Sequence, residues 1–265
     1  MAGNAREPGR TAAHRILSIL TAFEEGPTNL TLSQIAERAG LPLSTTHRLV
    51  TELDEWGFVV RTAQGRYQLG LRVWELGQTV GHRLREGARP FVQELHALTG
   101  ETAQLAIRDG REVLYIERVY GPHRVPRASQ VGGRLPLNTT AVGKVILAFE
   151  VPEIRDAVLA APLAGATPRT VTDPGRLREQ LEVIRRDGYS ITQEEIRMGA
   201  CSIAVPVFHR GRVGAAVGLV VSSERAGTLL RHLPVLRTVS RRIEAATQTI
   251  PLETLWHANR APYER

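Results

Sequence analysis

Four side chains in the stretch LPLSTTHRLVTELDEWGFV, which begins at Leu41, carry the chemistry of nucleic-acid recognition: Ser44, His47, Arg48 and Thr51. Their three- and four-residue spacing puts them on one face of a helix, with Leu49, Val50, Leu53 and Trp56 on the other. Arginine can fork onto guanine, hydroxyls can pair with bases or phosphate, and a helix N-terminus favours phosphate. Thr46, three residues before Leu49, falls with the structural face. Asp54 and Glu55 lie farther along, where such a helix would leave a groove. A polar helix face usually means only solvent, so the surrounding elements decide what this one is for.

A second group, Asn138-Thr139-Thr140 ahead of AVGKV, could cap a helix whose first-turn N–H groups hold an anion. It is not a phosphate-binding loop: a Walker motif needs Gly where Asn138 stands and Ser or Thr where Val145 stands. The single cysteine, Cys201, beside a β-rich run, reads as a small buried hydrophobe. Glu194 and Glu195, being adjacent, would face opposite ways on a strand and read as a solvated turn. The eight histidines show no ligand spacing, CxxC and HExxH are absent, and no nucleophile, base and orienter come together. No catalytic residue, metal or cofactor is expected.

Elements follow from periodicity. Apolar Ile16, Leu17, Ile19, Leu20 and Phe23 predict a helix over 12–25, ended by Gly26-Pro27. Thr31 or Ser33 can cap a short helix, Leu32 to Ala39, stopped by Gly40. The third helix begins at Pro42 near a capping Ser44 and runs to Trp56, with Gly57 beyond it. Runs 58–61 and 66–69, joined by Thr-Ala-Gln-Gly, read as a hairpin. Three helices and a hairpin in about 60 residues make a winged helix-turn-helix.

Beyond it, Val73, Leu76 and Val80 predict a linker helix, 71–84, weakened by Gly77 and Gly81 and therefore in need of a partner surface. A helix over 87–98 follows, with Pro90 in its first turn. TAQLAIR and REVLYIERV flank Asp109-Gly110, a strong hairpin signal. A second pair, SIAVPVF and VGAAVGLVVS, surrounds His209–Arg212. Helices over 141–149, 153–160 and 173–186 lie between, and a last one, 223–246, is interrupted near Pro234. The expected class is α+β.

Bulk properties are those of a globular protein, with 265 residues, 42% apolar and 23% charged. No apolar run is long enough to span a membrane, and one cysteine fits a reducing cytoplasm. The net charge of +7 does not single out the first segment, which has 8 Arg against 7 acidic residues up to Arg72. A DNA reading must therefore rest on pattern.

AERAGLPLSTTHRLVTELDEWGFV with GRYQLG resembles the DNA-binding domain of the IclR family of bacterial transcriptional regulators. TGETAQL, LNTTAVGKVILAF, IRRDGYSITQEE and CSIAVPVF resemble segments of that family's effector-binding domain, in the family's order. The resemblance covers roughly Thr11 to Ala246 and implies a flexible arm (1–10), a winged helix-turn-helix (11–70), a linker and dimerisation helix (71–86), a GAF-like α/β effector-binding domain (87–248) and a tail (249–265). It implies operator-DNA contacts from Ser44, Thr45, His47, Arg48 and Thr51, and from Arg61, Gln64 and Arg66 on the wing. The chain departs from the family at Leu43, where a polar or basic residue is frequent.

The resemblance also implies a pocket for a small organic or aromatic carboxylic acid at Thr140, Ala141, Val142, Thr192, Ala200, Ser202, Gly218 and Val220. Thr192 stands where an acidic residue is frequent, and Gly218 and Val220 where the family has serines, so a roomier, less polar pocket and a bulkier acid are expected. Implied partners are operator DNA, the effector and a second copy of the chain, as a homodimer or a dimer of dimers. The alternatives are a DNA-binding regulator without ligand response, and an enzyme with a winged-helix assembly domain.

Overall fold

The computed structural model describes residues 11–24, 26–79, 82–121 and 130–249. The expected arm, 1–10, and all but the first residue of the expected tail lie outside the described residues. The chain divides into two compact units, one up to Val80 and one from Gly81.

The first unit holds α1 (Ala12–Thr21), α2 (Leu32–Ala39), α3 (Leu43–Glu55), the hairpin β1 (Val59–Arg61) and β2 (Tyr67–Leu69), and α4 (Leu71–Thr79). Thr31 and Gln34 form a reciprocal capping box at α2, and Gly40 takes the left-handed conformation, φ 61°, that ends it. The strands pair antiparallel, Val60 opposite Gln68, and Leu30 bridges to Tyr67. Ile19, Leu30, Ile35, Leu49, Val50, Leu53 and Val59 form a core under all three helices and the hairpin. Two expectations fail here. Helix α3 starts at Leu43 with no side-chain cap, so Ser44 is free of that task. Trp56 is 73% exposed, because α3 has ended and the chain is already turning through Gly57, φ 74°.

The second unit contains α5 (His82–Thr99), β3 (Thr102–Asp109), β4 (Glu112–Val119), β5 (Arg134–Pro136), α6 (Ala141–Phe149), α7 (Pro152–Leu159), α8 (Pro174–Asp187), β6 (Ser190–Gln193), β7 (Ala200–His209), β8 (Arg212–Ser222) and α9 (Leu233–Thr247). Its antiparallel sheet runs in the order β5-β4-β3-β8-β7-β6. Helices α5 and α9 cover one face through Val92, Leu95, Leu236 and Ile243. Helices α6 and α8 cover the other through Val145, Ile146, Leu177 and Leu181. A sheet covered on both faces explains why β7 and β8 are almost continuously apolar instead of alternating.

Both anticipated hairpins form, and Arg210 and Gly211 take positive φ (49° and 78°) in the tight turn between β7 and β8. Helix α5 begins at His82, earlier than expected, and carries Pro90 in its interior; α4 covers the expected linker helix up to Thr79, and residues 80 and 81 lie outside the described residues. The last helical stretch is two pieces, a 3-10 segment (Ser223–His232) and α9, with Pro234 in the first turn of α9, where no N–H is missed.

Candidate nucleic-acid interface and effector pocket

On α3, Ser44, His47, Arg48 and Thr51 are exposed and Thr45 is half-buried, while Leu49, Val50 and Leu53 are buried. Thr46 is fully buried and its Oγ1 donates to the Pro42 carbonyl at 3.1 Å, which makes it the structural member of the run. Arg48 reaches Glu52 at 2.7 Å, but with 64% and 49% of these side chains exposed the pair contributes little and exchanges readily for an outside anion. The Thr51 hydroxyl donates back to the His47 carbonyl at 2.9 Å. On the hairpin, Arg61, Gln64 and Arg66 are exposed. Arg61 sits over the Tyr67 ring, 5.9 Å from its centroid, and Arg66 donates to the Asn29 carbonyl at 3.2 Å. An exposed polar helix face beside a basic hairpin is the surface that fits a groove and its flanking phosphates.

In the second unit, strand register builds a floor. Arg118 on β4 lies opposite Gln104 on β3, which lies opposite Gly218 on β8, which lies opposite Ala204 on β7. The next row runs Thr102, Val220, Ser202, Thr192. Facing partners on an antiparallel sheet share a side, so both rows look the same way. Above them a cavity of about 20 Å³ is walled by Gln104, Tyr115, Arg118, Thr140, Ser202 and Val220. Leu135, Ala200, Cys201 and Ile196 complete it.

Thr140 is the N-cap of α6, its Oγ1 accepting the Gly143 N–H at 3.0 Å. Thr192 and Ser202 share a 2.7 Å hydroxyl hydrogen bond. Thr140, Ala200, Ser202 and Val220 therefore reach the cavity wall, and Thr192 supports Ser202. Ala141 and Val142 do not: they are 1% and 0% exposed and belong to the core beneath α6. Gly218 opens no space, since a Cβ there would come within 2.6 Å of the Ile203 carbonyl and 3.1 Å of the Ala204 Cβ. The expected roomier pocket is absent in this state, where the cavity suffices for about one water. Asn138 and Thr139 are not caps. Asn138 Nδ2 donates to the Ala164 and Val171 carbonyls, and Thr139 donates to Pro136.

Three polar groups of the wall escape the sequence reading. Arg118 is 8% exposed, with its guanidinium 5.8 Å from the Tyr115 ring centroid and 5.4 Å from that of Tyr120. Burial pushes the Tyr115 phenol up to about 12, against the opposing charge of Arg118 and a hydrogen bond with Thr140, so the ring stays neutral. Gln104 is 3% exposed, and its Oε1 finds no hydrogen-bond donor among the described residues. Their only sequence signal is polarity inside β-rich runs that are otherwise apolar.

Glu194 and Glu195 are buried instead of solvated. Glu194 has φ 58°, accepts the Gly199 N–H at 2.7 Å and meets Arg169 at 3.0 Å. Glu195 Oε2 lies 2.6 Å from Lys144 Nζ, which also donates to Gln180 at 2.8 Å. Burial lowers the pKa of Lys144, and the Glu195 charge opposes that shift. These bonds hold the turn that carries Ile196 onto the cavity. Cys201, 2% exposed, packs in the α5–α9 core as a hydrophobe, its thiol pushed up by burial. Among the described residues no cluster of His, Cys, Asp and Glu could hold a metal ion, and no helix is long and apolar enough to cross a membrane.

Residues 12–63 match the family described as the IclR helix-turn-helix domain, and residues 77–245 match the bacterial transcriptional regulator IclR C-terminal family. The chain is 34% identical over 224 residues to the HTH-type transcriptional regulator KipR of Bacillus subtilis, covering 83% of this chain and 88% of KipR. It is 35% identical to the regulator XynR of Escherichia coli over 81% of this chain and 87% of XynR. Among solved structures, an IclR homolog from Microbacterium hydrocarbonoxydans complexed with 4-hydroxybenzoate superposes with a TM-score of 0.84 at 35% identity, covering 89% of this chain and 98% of that one.

Proposed function

Because this chain belongs to the IclR family of bacterial transcriptional regulators, we propose that it binds an operator through α3 and the hairpin and changes its grip when a small organic acid enters the C-terminal pocket. The observation that carries the DNA half is the exposed row Ser44, His47, Arg48 and Thr51 over a buried Leu49, Val50 and Leu53. Thr45 and the hairpin's Arg61, Gln64 and Arg66 extend the same surface.

The acid half rests on a buried cation and hydroxyls around one cavity, and on the 4-hydroxybenzoate bound by the Microbacterium homolog. A cavity of about 20 Å³ cannot hold an aromatic acid, so its wall must open to admit one. A ligand that binds only the expanded state shifts the population toward it, which is what an effector requires. The chain regulates without catalysing, in the cytoplasm.

The active unit is a homodimer, with a dimer of dimers as the larger assembly. Leu71 and Trp74, three residues apart on one face of α4, are 77% and 64% exposed, an apolar surface that a second copy would cover. Nuclease footprinting on DNA flanking the chain's own coding region tests the reading. A protected pair of near-inverted half-sites is expected; uniform, salt-sensitive binding without a footprint would refute it.

A further inference from the structure

Strand β4 serves two faces of the sheet at one place. Tyr115 and Arg118 wall the cavity. Between them, Ile116 packs into the α5–α9 core and Glu117 reaches α5. The register explains this division. Leu105 pairs with Glu117 and Ala106 with Tyr115, so Ile116 is the extra residue of a β-bulge, where the strict alternation of faces breaks.

The Glu117 side chain is only 6% exposed. Its Oε2 lies 3.1 Å from Arg85 Nε and 3.8 Å from Arg89 Nε, two cations one turn apart on α5. Its Oε1 accepts the Arg118 backbone N–H at 3.0 Å. One carboxylate therefore holds the helix with one oxygen and the backbone of the cavity wall with the other. A bulge interrupts the ladder and bends its strand, so this is where β4 can give when the wall opens. Arg85 and Arg89 lie in the first half of α5, the helix that follows α4 in the chain.

We propose that Glu117 is the positioning residue that turns opening of the cavity wall into a shift of α5, through its hold on Arg85 and Arg89. This rests on the reading of the cavity as an acid-responsive site and adds which residues carry the response out of it. Packed elements switch between discrete arrangements, so cutting the link should separate acid binding from operator binding without abolishing either.

Fluorescence anisotropy on the footprinted operator, with and without saturating acid, measures the coupling. Calorimetry on the full chain measures acid affinity, with benzoate, 4-hydroxybenzoate and phenylacetate as probes. In the wild type at least one probe should change operator affinity about fivefold or more. Glu117→Gln, and separately Arg85→Gln/Arg89→Gln, should cut that change to below about twofold, with acid affinity and acid-free operator affinity each within about threefold of wild type. Glu94→Gln, which instead loosens α5 from Arg242 on α9, should keep the full change. If Glu117→Gln fails to fold by circular dichroism, the double arginine variant decides alone. Full coupling in the Glu117 and arginine variants, loss of acid binding in them, or equal loss of coupling in Glu94→Gln overturns this inference and leaves the acid-responsive reading standing. Failure of every probe to bind the wild type or to change its operator affinity overturns both.

Discussion

Replacing Glu195 with alanine would strip Lys144 of its carboxylate at a point where the ammonium is only 1% exposed. The 2.6 Å contact between Nζ and Oε2 would go, leaving the 2.8 Å bond to Gln180 as the remaining acceptor. Breaking one side of a buried pair costs about 3–5 kcal/mol, and the surviving Gln180 bond places the expected loss near the lower end, about 3 kcal/mol. The double variant Lys144→Met/Glu195→Leu removes both charges and should fall within about 1 kcal/mol of wild type.

The sign of the pH effect follows from Lys144. Burial lowers its folded-state pKa below the ordinary 10.5, and Glu195→Ala removes the charge that opposes this shift. The folded single variant then binds fewer protons than the unfolded chain between the lowered value and 10.5, so its stability should rise with pH across that window. Urea denaturation followed by circular dichroism at neutral pH and near pH 9.5 measures both quantities. A single variant within about 1 kcal/mol of wild type, or one whose stability falls as pH rises through the window, would refute the burial argument.

Arg48→Ala should weaken operator binding by about 1–3 kcal/mol with the fold intact, and equal affinity in an anisotropy titration would remove Arg48 from the interface. Gly218→Ser should destabilise the second unit by about 1–3 kcal/mol, since its Cβ would press on the Ile203 carbonyl at 2.6 Å; an unchanged melting temperature would contradict the packing. Sedimentation at micromolar concentration should give a dimer or a dimer of dimers, and Trp74→Glu on α4 should shift it toward monomer. A wild-type monomer that occupies DNA singly would rule the assembly out.

The first unit was legible because its signals are local. Thr31 (one of the two candidate caps, the other being Ser33), Gly40 and the alternation of Leu49, Val50 and Leu53 with polar neighbours each act within one or two turns, although the Gln34 half of the capping box appears only in the structure. Trp56 falls off the apolar face because α3 ends at Glu55, one residue before it, and helical periodicity no longer holds there. In the second unit Asp109-Gly110 and the β7–β8 turn stood out, but β5 and β6 did not: strands of three and four residues have too little pattern of their own and exist through pairing.

The pocket was half legible. Thr140, Ala200, Ser202 and Val220 came from the family resemblance, whereas Arg118 and Gln104 reach the cavity only through register across β4, β3 and β8. No spacing in the chain encodes such a row. Glu194 and Glu195 were read as solvated because adjacent carboxylates usually are; their burial depends on Lys144, Gln180 and Arg169, between about 15 and 51 residues away along the chain.

The central claim is that an organic acid entering the second unit, once its small cavity opens, controls the operator affinity of the first. Fluorescence anisotropy of the full chain on its footprinted operator, titrated with a carboxylic acid shown by calorimetry to bind and with its amide as control, tests this most directly. The account predicts that saturating acid changes operator affinity severalfold while the amide leaves it alone, and that operator DNA changes acid affinity by the same factor. Operator affinity unchanged at full acid occupancy would contradict it.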